Sequence, residues 1–261
     1  MRLRVLQAQR MAARLASLPV RPLTAKRRVI LHVGPHRTGT TTVQETLRAS
    51  QSVMPWRVEA LTRENRAVAR LSGLIHNTQT RREARRKKAA VRRAAENVAA
   101  LCTARTTIIS DEDLIGALPT RRRLRGLYPF LEILFPVVLD AFEKSGAQVT
   151  VAWTPRFYPD WLESVFYRRH SAYPSTPFVP RRYRFGNGLP GAWDPFAKRF
   201  TEVCANVDLA TLSFEEDVKA GIMGQGLFQL AGLSPKEIAR LKHAKPQNVS
   251  RHRPRAEPKR N

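Results

Sequence analysis

The stretch Val29-Ile-Leu-His-Val-Gly-Pro-His-Arg-Thr-Gly-Thr-Thr-Thr-Val-Gln44 constrains the fold more than any other part of the chain. Val29 to Val33 is an apolar run and reads as a buried strand. A loop with two glycines, Gly34 and Gly39, follows, and the hydroxyls Thr40, Thr41 and Thr42 then open a segment of helical character. Strand, glycine-containing loop and helix start, in that order, build a phosphate cradle. Loop N–H groups converge, and the helix N-terminus adds partial positive charge. The threonines are suited to cap the helix and to donate to phosphate oxygens.

The rest of the chain repeats the alternation. Leu61 to Leu74 looks helical but weakly patterned. Arg81 to Leu101 is rich in Ala, Arg, Lys and Glu and reads as a long helix, with Ala90, Ala94, Val98 and Leu101 on one stripe and a basic remainder. Thr106 to Ser110 is a β-branched second strand ending in the acids Asp111, Glu112 and Asp113. Leu114 to Pro119 reads as a loop, and a helix follows from Leu127 to Lys144. Gln148 to Trp153 is the third strand, leading through a turn into a helix ending at Arg169. Prolines and glycines from Ala172 to Trp193 indicate an irregular excursion of the kind that forms lids or binding loops. A helix over Pro195 to Val203, a fourth strand from Val207 to Phe214 ending in Glu215, Glu216 and Asp217, and a last core helix over Gly226 to Gly232 complete the pattern. The expected architecture is therefore α/β: a three-layer P-loop-type fold with a central parallel sheet flanked by helices.

Three regions are expected: a basic extension over residues 1–26, a P-loop domain over 27–240 and a basic, disordered tail over 241–261. Residues 1–28 carry no acid at all, and the first is Glu45. They resemble an organelle transit peptide in composition; the simpler alternative is a basic helix ahead of the first strand. With 46 Lys plus Arg against 21 Asp plus Glu, the net charge is +25. Such a surface attracts polyanions such as acidic glycans, yet solvated helix faces account for the same charge without a partner. The basic helix lacks aromatics for base stacking and any known DNA-binding motif, so no specific nucleic acid is expected. No window of 18 residues is apolar and uncharged, which predicts no membrane span; a cytoplasmic location is expected, with organelle targeting by the acid-free N-terminus left open. Cys102 and Cys204 have no metal-ligand spacing and read as buried thiols.

A nucleotide triphosphate loop requires G-x-x-x-x-G-K-[ST]. Gly34 and Gly39 have that separation, but Thr40 stands at the lysine position and the cation, Arg37, precedes the second glycine. A kinase-like phosphotransferase thus lacks its lysine.

Gly34-Pro-His-Arg-Thr-Gly-Thr-Thr-Thr42 resembles the 5′-phosphosulfate loop of sulfotransferases that use 3′-phosphoadenosine 5′-phosphosulfate (PAPS), in particular the bacterial branch with a G-P-H-K-T-G-T-T loop. The resemblance implies that Gly34, Pro35, Arg37, Thr38, Gly39, Thr40, Thr41 and Thr42 hold the 5′-phosphate. It also implies that Arg37 offsets charge on the departing phosphate. The family usually has lysine there; arginine keeps the charge but is planar and donates no proton. A second segment agrees. The family holds its 3′-phosphate with an arginine and a serine eight residues later, matching Arg156 and Ser164. Phe157 departs from the proline that often follows the arginine. Glu112 resembles the acid of the branch's S-x-E segment and is a candidate base for the acceptor's proton. Asp111 and Asp113 compete with it as acids or as a helix-start capping cluster, and His36 in the loop is a further candidate. Asn248-Val-Ser-Arg251 is similar to a late N-x-S segment of bacterial members. The implied activity is sulfuryl transfer from PAPS, without metal, to a hydroxyl or amino group of a small molecule or glycan, yielding adenosine 3′,5′-bisphosphate. The alternatives are a kinase-like nucleotide-binding protein and a non-catalytic polyanion binder that keeps the fold.

Overall fold

The computed structural model of the chain describes residues 26–118, 126–170 and 176–245. Five parallel strands run in the order β2-β3-β1-β4-β5: β1 Arg28–His32, β2 Val58–Thr62, β3 Thr106–Ser110, β4 Gln148–Trp153 and β5 Asp208–Thr211. The first strand is central, in register with β3 on one side (Ile30 opposite Ile108) and β4 on the other (Ile30 opposite Thr150).

Alternation along β1 explains the layers. Val29 and Leu31 are fully buried in one core and Ile30 in another, because successive side chains leave a strand on opposite faces. Ile30 packs with Val43 and Leu47 of helix α1 (Thr40–Ala49) and with Leu227 and Phe228 near the C-terminus. Val29 and Leu31 face the larger core, built from α2 (Arg66–His76), α3 (Arg81–Leu101), α4 (Leu131–Lys144), α5 (Tyr158–Arg169) and α7 (Asp194–Val203), with α6 (Pro180–Asn187) at its margin. The protein is thus a three-layer α/β fold with a parallel sheet between helices. Three short helices close the described chain: α8 (Phe214–Ala220), α9 (Gln225–Leu230) and α10 (Pro235–Ala239).

Several local expectations are corrected. The weak helix expected over Leu61 to Leu74 is two elements, edge strand β2 and helix α2. Val58–Thr62 alternates in burial, and Glu59 within it is satisfied by the Thr103 and Ala104 N–H groups (2.7 and 3.1 Å) and the Thr107 hydroxyl (2.6 Å). Tertiary partners therefore hold a strand whose own composition is indifferent. The buried stripe of α3 runs through Val91, Ala94, Ala95, Val98 and Ala99, while Leu101 is exposed. Helix α4 starts at Leu131, because Tyr128 adopts a left-handed φ of 47° that no helix continues. The loop expected after Asp113 contains a 3₁₀ turn, Glu112–Ile115, capped by Asp111. The irregular excursion includes α6. Strand β5 stops at Thr211, and Glu215, Glu216 and Asp217 sit in the first turn of α8, where acids suit the helix dipole.

The tail boundary expected at 241 falls inside the packed structure. Leu241 is buried, and the N–H groups of Lys242 and Ala244 donate to Ser50 Oγ (2.8 Å) and Thr46 Oγ1 (3.0 Å). The N-terminal extension up to residue 25, the segment 246–261 and Asn248 to Arg251 lie outside the described residues. Both cysteines are buried free thiols, and burial pushes Cys102 up to about 11 and Cys204 up to about 12. Among the described residues no helix is long and apolar enough to cross a membrane.

Candidate functional site

The loop leaves β1 where β1 has neighbours on both sides, at the carboxyl end of the sheet, the position at which open parallel sheets form their ligand crevice. Val33 N–H is still bound to the Ala152 carbonyl at 2.9 Å; beyond it the chain turns. Arg37 has φ 73° and Gly39 φ 83°. The Thr38 hydroxyl closes the turn by donating to the Pro35 carbonyl at 2.6 Å. Gly39 is the N-cap of α1, so no side chain caps that helix, in contrast to the role expected of the threonines. Thr40 instead points a buried Oγ1 into the loop with no hydrogen-bond partner. A buried hydroxyl without a partner costs energy, and a ligand oxygen is one way to recover it. A Cβ on Gly34 would stand 3.1 Å from Thr38 Oγ1 and 3.2 Å from Thr40 Oγ1, so glycine keeps these two hydroxyls close to the backbone.

At Gly39 a Cβ would meet Met223 Sδ at 2.5 Å, on top of the unfavourable φ. Gly39→Ala is expected to destabilise the fold by about 2 kcal/mol, from left-handed backbone strain plus displacement of Met223. Chemical denaturation of the variant against the parent measures this, and equal midpoints would refute it.

The loop borders a cavity of about 820 Å³. His36, Arg37, Gly39, Thr40, Thr41, Thr42, Glu112, Arg156 and Ser164 line it, whereas Gly34, Pro35 and Thr38 form the loop behind the wall. The two segments singled out in the sequence meet directly: Arg37 Nε donates to Ser164 Oγ at 3.0 Å. Burial, and then the nearby Arg168 and Arg156 guanidiniums, lower the Arg37 pKa, the signature of cations gathered around one site. Arg156 also lies over the Phe214 ring, 5.2 Å from its centroid. Arg168 was not singled out in the sequence, although it lies one helical turn beyond Ser164 and therefore on the same face of α5. Phe214 and Met223 on the wall left no readable signal.

The acids form the other part of the wall. Glu112 is 7% exposed; its Oε2 accepts from Gln44 Nε2 at 2.9 Å, and Arg63 lies 3.5 Å from its Oε1. Asp111 is fully buried and caps the 3₁₀ turn through Asp113 N–H, so it keeps the capping role weighed for it. Burial, and then the charge of Glu112, raise its pKa. Asp113 is bound by His36 Nε2 (2.9 Å), His76 Nδ1 (2.6 Å) and Arg63 (2.8 Å). Burial works against its ionisation, yet the hydrogen bonds from the two histidines prevail and hold it well below the usual carboxylate range.

His36 has both ring nitrogens engaged, Nε2 with Asp113 and Nδ1 with Tyr128 Oη at 3.1 Å. Its backbone N–H also donates to Tyr128 Oη (3.0 Å), and its carbonyl accepts from Trp161 Nε1 (2.7 Å). These bonds give His36 a loop-shaping role. They also explain the unusual backbone of Tyr128, whose fully buried ring and hydroxyl over-determine its position. Sequence reasoning missed Arg63, His76 and Tyr128, which lie far from the motifs along the chain.

Beneath the loop, His32 bonds Ser110 Oγ at 2.8 Å and is fully buried, which lowers its pKa to about 4. The native state then resists a proton that the unfolded chain takes up near pH 6.5. The stabilisation is complete above 6.5 and is lost as pH falls from 6.5 to 4. The loss amounts to about 3 kcal/mol. His32→Gln is expected to remove this part of the acid sensitivity. Urea denaturation of both proteins at pH 7 and pH 4.5 tests it, and parallel pH profiles would exclude His32 as the cause.

No family model matches the chain, and no curated protein matches it. Among solved structures, one described as "Crystal structure of APE1195" is similar over 80% of this chain and 96% of that chain, with 16% identity and a TM-score of 0.39. That similarity is too distant to argue from.

Proposed function

We propose that the protein is a PAPS-dependent sulfotransferase that moves a sulfuryl group to an acceptor hydroxyl or amino group, a glycan among the acceptors considered. The observation that carries this reading is the Arg37–Ser164 hydrogen bond, with Arg156 and Arg168 beside it on one cavity wall. A ligand with phosphate at both the 5′ and 3′ positions would engage the hydroxyl-lined loop and this arginine cluster at once, and bidentate guanidinium contacts suit phosphate. Its 5′-phosphate belongs at the loop, with the Thr40 hydroxyl as donor, and its 3′-phosphate at Arg156 and Ser164.

In this reading the acceptor oxygen or nitrogen attacks sulfur in line. Its proton passes to Glu112, the sulfur–oxygen bond to the phosphate breaks, and the electron pair leaves on the phosphate oxygen. Arg37 offsets the charge gathering there. Gln44 and Arg63 orient the Glu112 carboxylate for this role. The kinase-like alternative lacks a lysine after Gly39. The non-catalytic polyanion binder would draw on the exposed arginines of α3, such as Arg82, Arg85 and Arg86, none of which lines the cavity.

Calorimetric titration with adenosine 3′,5′-bisphosphate and with ATP, in salt sufficient to screen bare attraction, tests the proposal. The bisphosphate is expected to bind more tightly. Preference for ATP would sink the sulfotransferase reading, and tight bisphosphate binding without turnover on an acceptor panel would favour the non-catalytic one.

A further inference from the structure

The spacing of His, Cys, Asp and Glu along the chain predicts no metal site, but the fold assembles one group of donors from three separate segments. His36 comes from the loop after β1, His76 from the last turn of α2 and Asp113 from the 3₁₀ turn after β3. One ligand atom from each lies within 4.8 Å of the others. We infer that His36 Nε2, His76 Nδ1 and Asp113 Oδ1 form a three-ligand site for a divalent transition metal of the zinc class, opening on the cavity. This inference does not rest on the sulfuryl-transfer reading.

Three physical features support it. The donor set, two imidazoles and one carboxylate, is the borderline nitrogen–oxygen set that zinc takes, and three protein ligands leave a coordination position for water or a ligand in the cavity. Both histidines already converge on the same Asp113 oxygen, at 2.9 and 2.6 Å, through nitrogens that a metal would take over. On metal binding each ring keeps its proton on the other nitrogen. For His36 that nitrogen is Nδ1, and Tyr128 Oη stands 3.1 Å away to accept from it. A buried oxygen behind the non-ligating nitrogen is the support that orients metal-binding histidines elsewhere.

The electrostatics fit as well. Among the described residues, Asp111, Glu112 and Asp113 share the guanidinium of Arg63, which lies 3.2, 3.5 and 2.8 Å from them. Arg63 approaches Asp113 through Oδ2 and leaves Oδ1 to the histidines. His76 also ends α2, where the helix dipole places partial negative charge. In a protein of net charge +25, these acids make a locally anionic corner of a cavity that Arg37, Arg156 and Arg168 line elsewhere.

The test uses the full chain and Zn²⁺ alone, titrated calorimetrically in a non-coordinating buffer, with Co²⁺ as a visible-absorption probe of coordination. The parent is expected to bind one Zn²⁺ at this site and to give the intense spectrum of four-coordinate Co²⁺. His76→Ala, at a partly exposed position, is expected to lower Zn²⁺ affinity roughly 100-fold, and Tyr128→Phe roughly 10-fold through the lost support of His36. Circular dichroism checks that each variant is folded. Zn²⁺ affinity unchanged in His76→Ala, or binding only of the weak kind that an exposed histidine such as His243 provides, would overturn the site. Bisphosphate titration of the same samples reads the nucleotide site separately, so failure of one proposal is distinguishable from failure of the other.

Discussion

Arg37→Ala is expected, on the sulfuryl transfer proposed above, to reduce turnover of PAPS by about 10²- to 10³-fold, the loss that follows removal of one preorganised donor to a developing oxyanion. The effect should fall on kcat more than on bisphosphate affinity, because in that proposal the guanidinium gains most when charge gathers on the departing phosphate. In the ground state Arg37 is bonded to Ser164, and its charge is opposed by burial and by Arg168 and Arg156. Arg37→Lys should retain most of the turnover, since a point charge survives where only planarity is lost. Steady-state kinetics with PAPS and an active acceptor decides the matter. Equal losses in the alanine and lysine variants would assign Arg37 to loop shape, through its bond to Ser164.

The second large effect concerns the 3′-phosphate position of the proposed nucleotide. Arg156→Ala is expected to weaken adenosine 3′,5′-bisphosphate binding by roughly 30- to 100-fold, the size of a lost charge-assisted hydrogen bond. Adenosine 5′-monophosphate, which lacks the 3′ group, should lose far less. Ser164→Ala should show the same asymmetry with a smaller amplitude, because a neutral donor contributes less than a guanidinium. The comparison of two ligands controls for general damage to the fold: a distorted cavity weakens both. Equal losses for the two ligands would remove Arg156 from the 3′-phosphate assignment and leave it to its place over Phe214.

Local chemistry made a large part of the fold legible. A β-branched run such as Thr106–Ser110, or an Ala- and Arg-rich run such as Arg81–Leu101, carries its structure in its own composition. The elements that escaped are those held by partners far along the chain. Strand β2 exists because β3 pairs with it and because Glu59 finds donors at Thr103, Ala104 and Thr107. Tyr128 breaks α4 because its hydroxyl is committed to His36, 92 residues away.

The site divides in the same way. Residues 29–44 by themselves determined a strand, a two-glycine loop and a helix start, since the apolar run, the glycines and the hydroxyls act on their own neighbours. The position of Arg37 before Gly39, and the eight-residue spacing of Arg156 and Ser164, were equally readable because spacing is a property of the chain. Only the tertiary structure decided what those groups meet. It set Arg37 against Ser164, added Arg168, and left the Thr40 hydroxyl buried without a partner. It also drew His36, His76 and Asp113 into one cluster, across separations of 77 and 37 residues. Contacts of that kind depend on how the sheet orders its strands, and strand order is fixed by packing between distant segments, which no local pattern encodes.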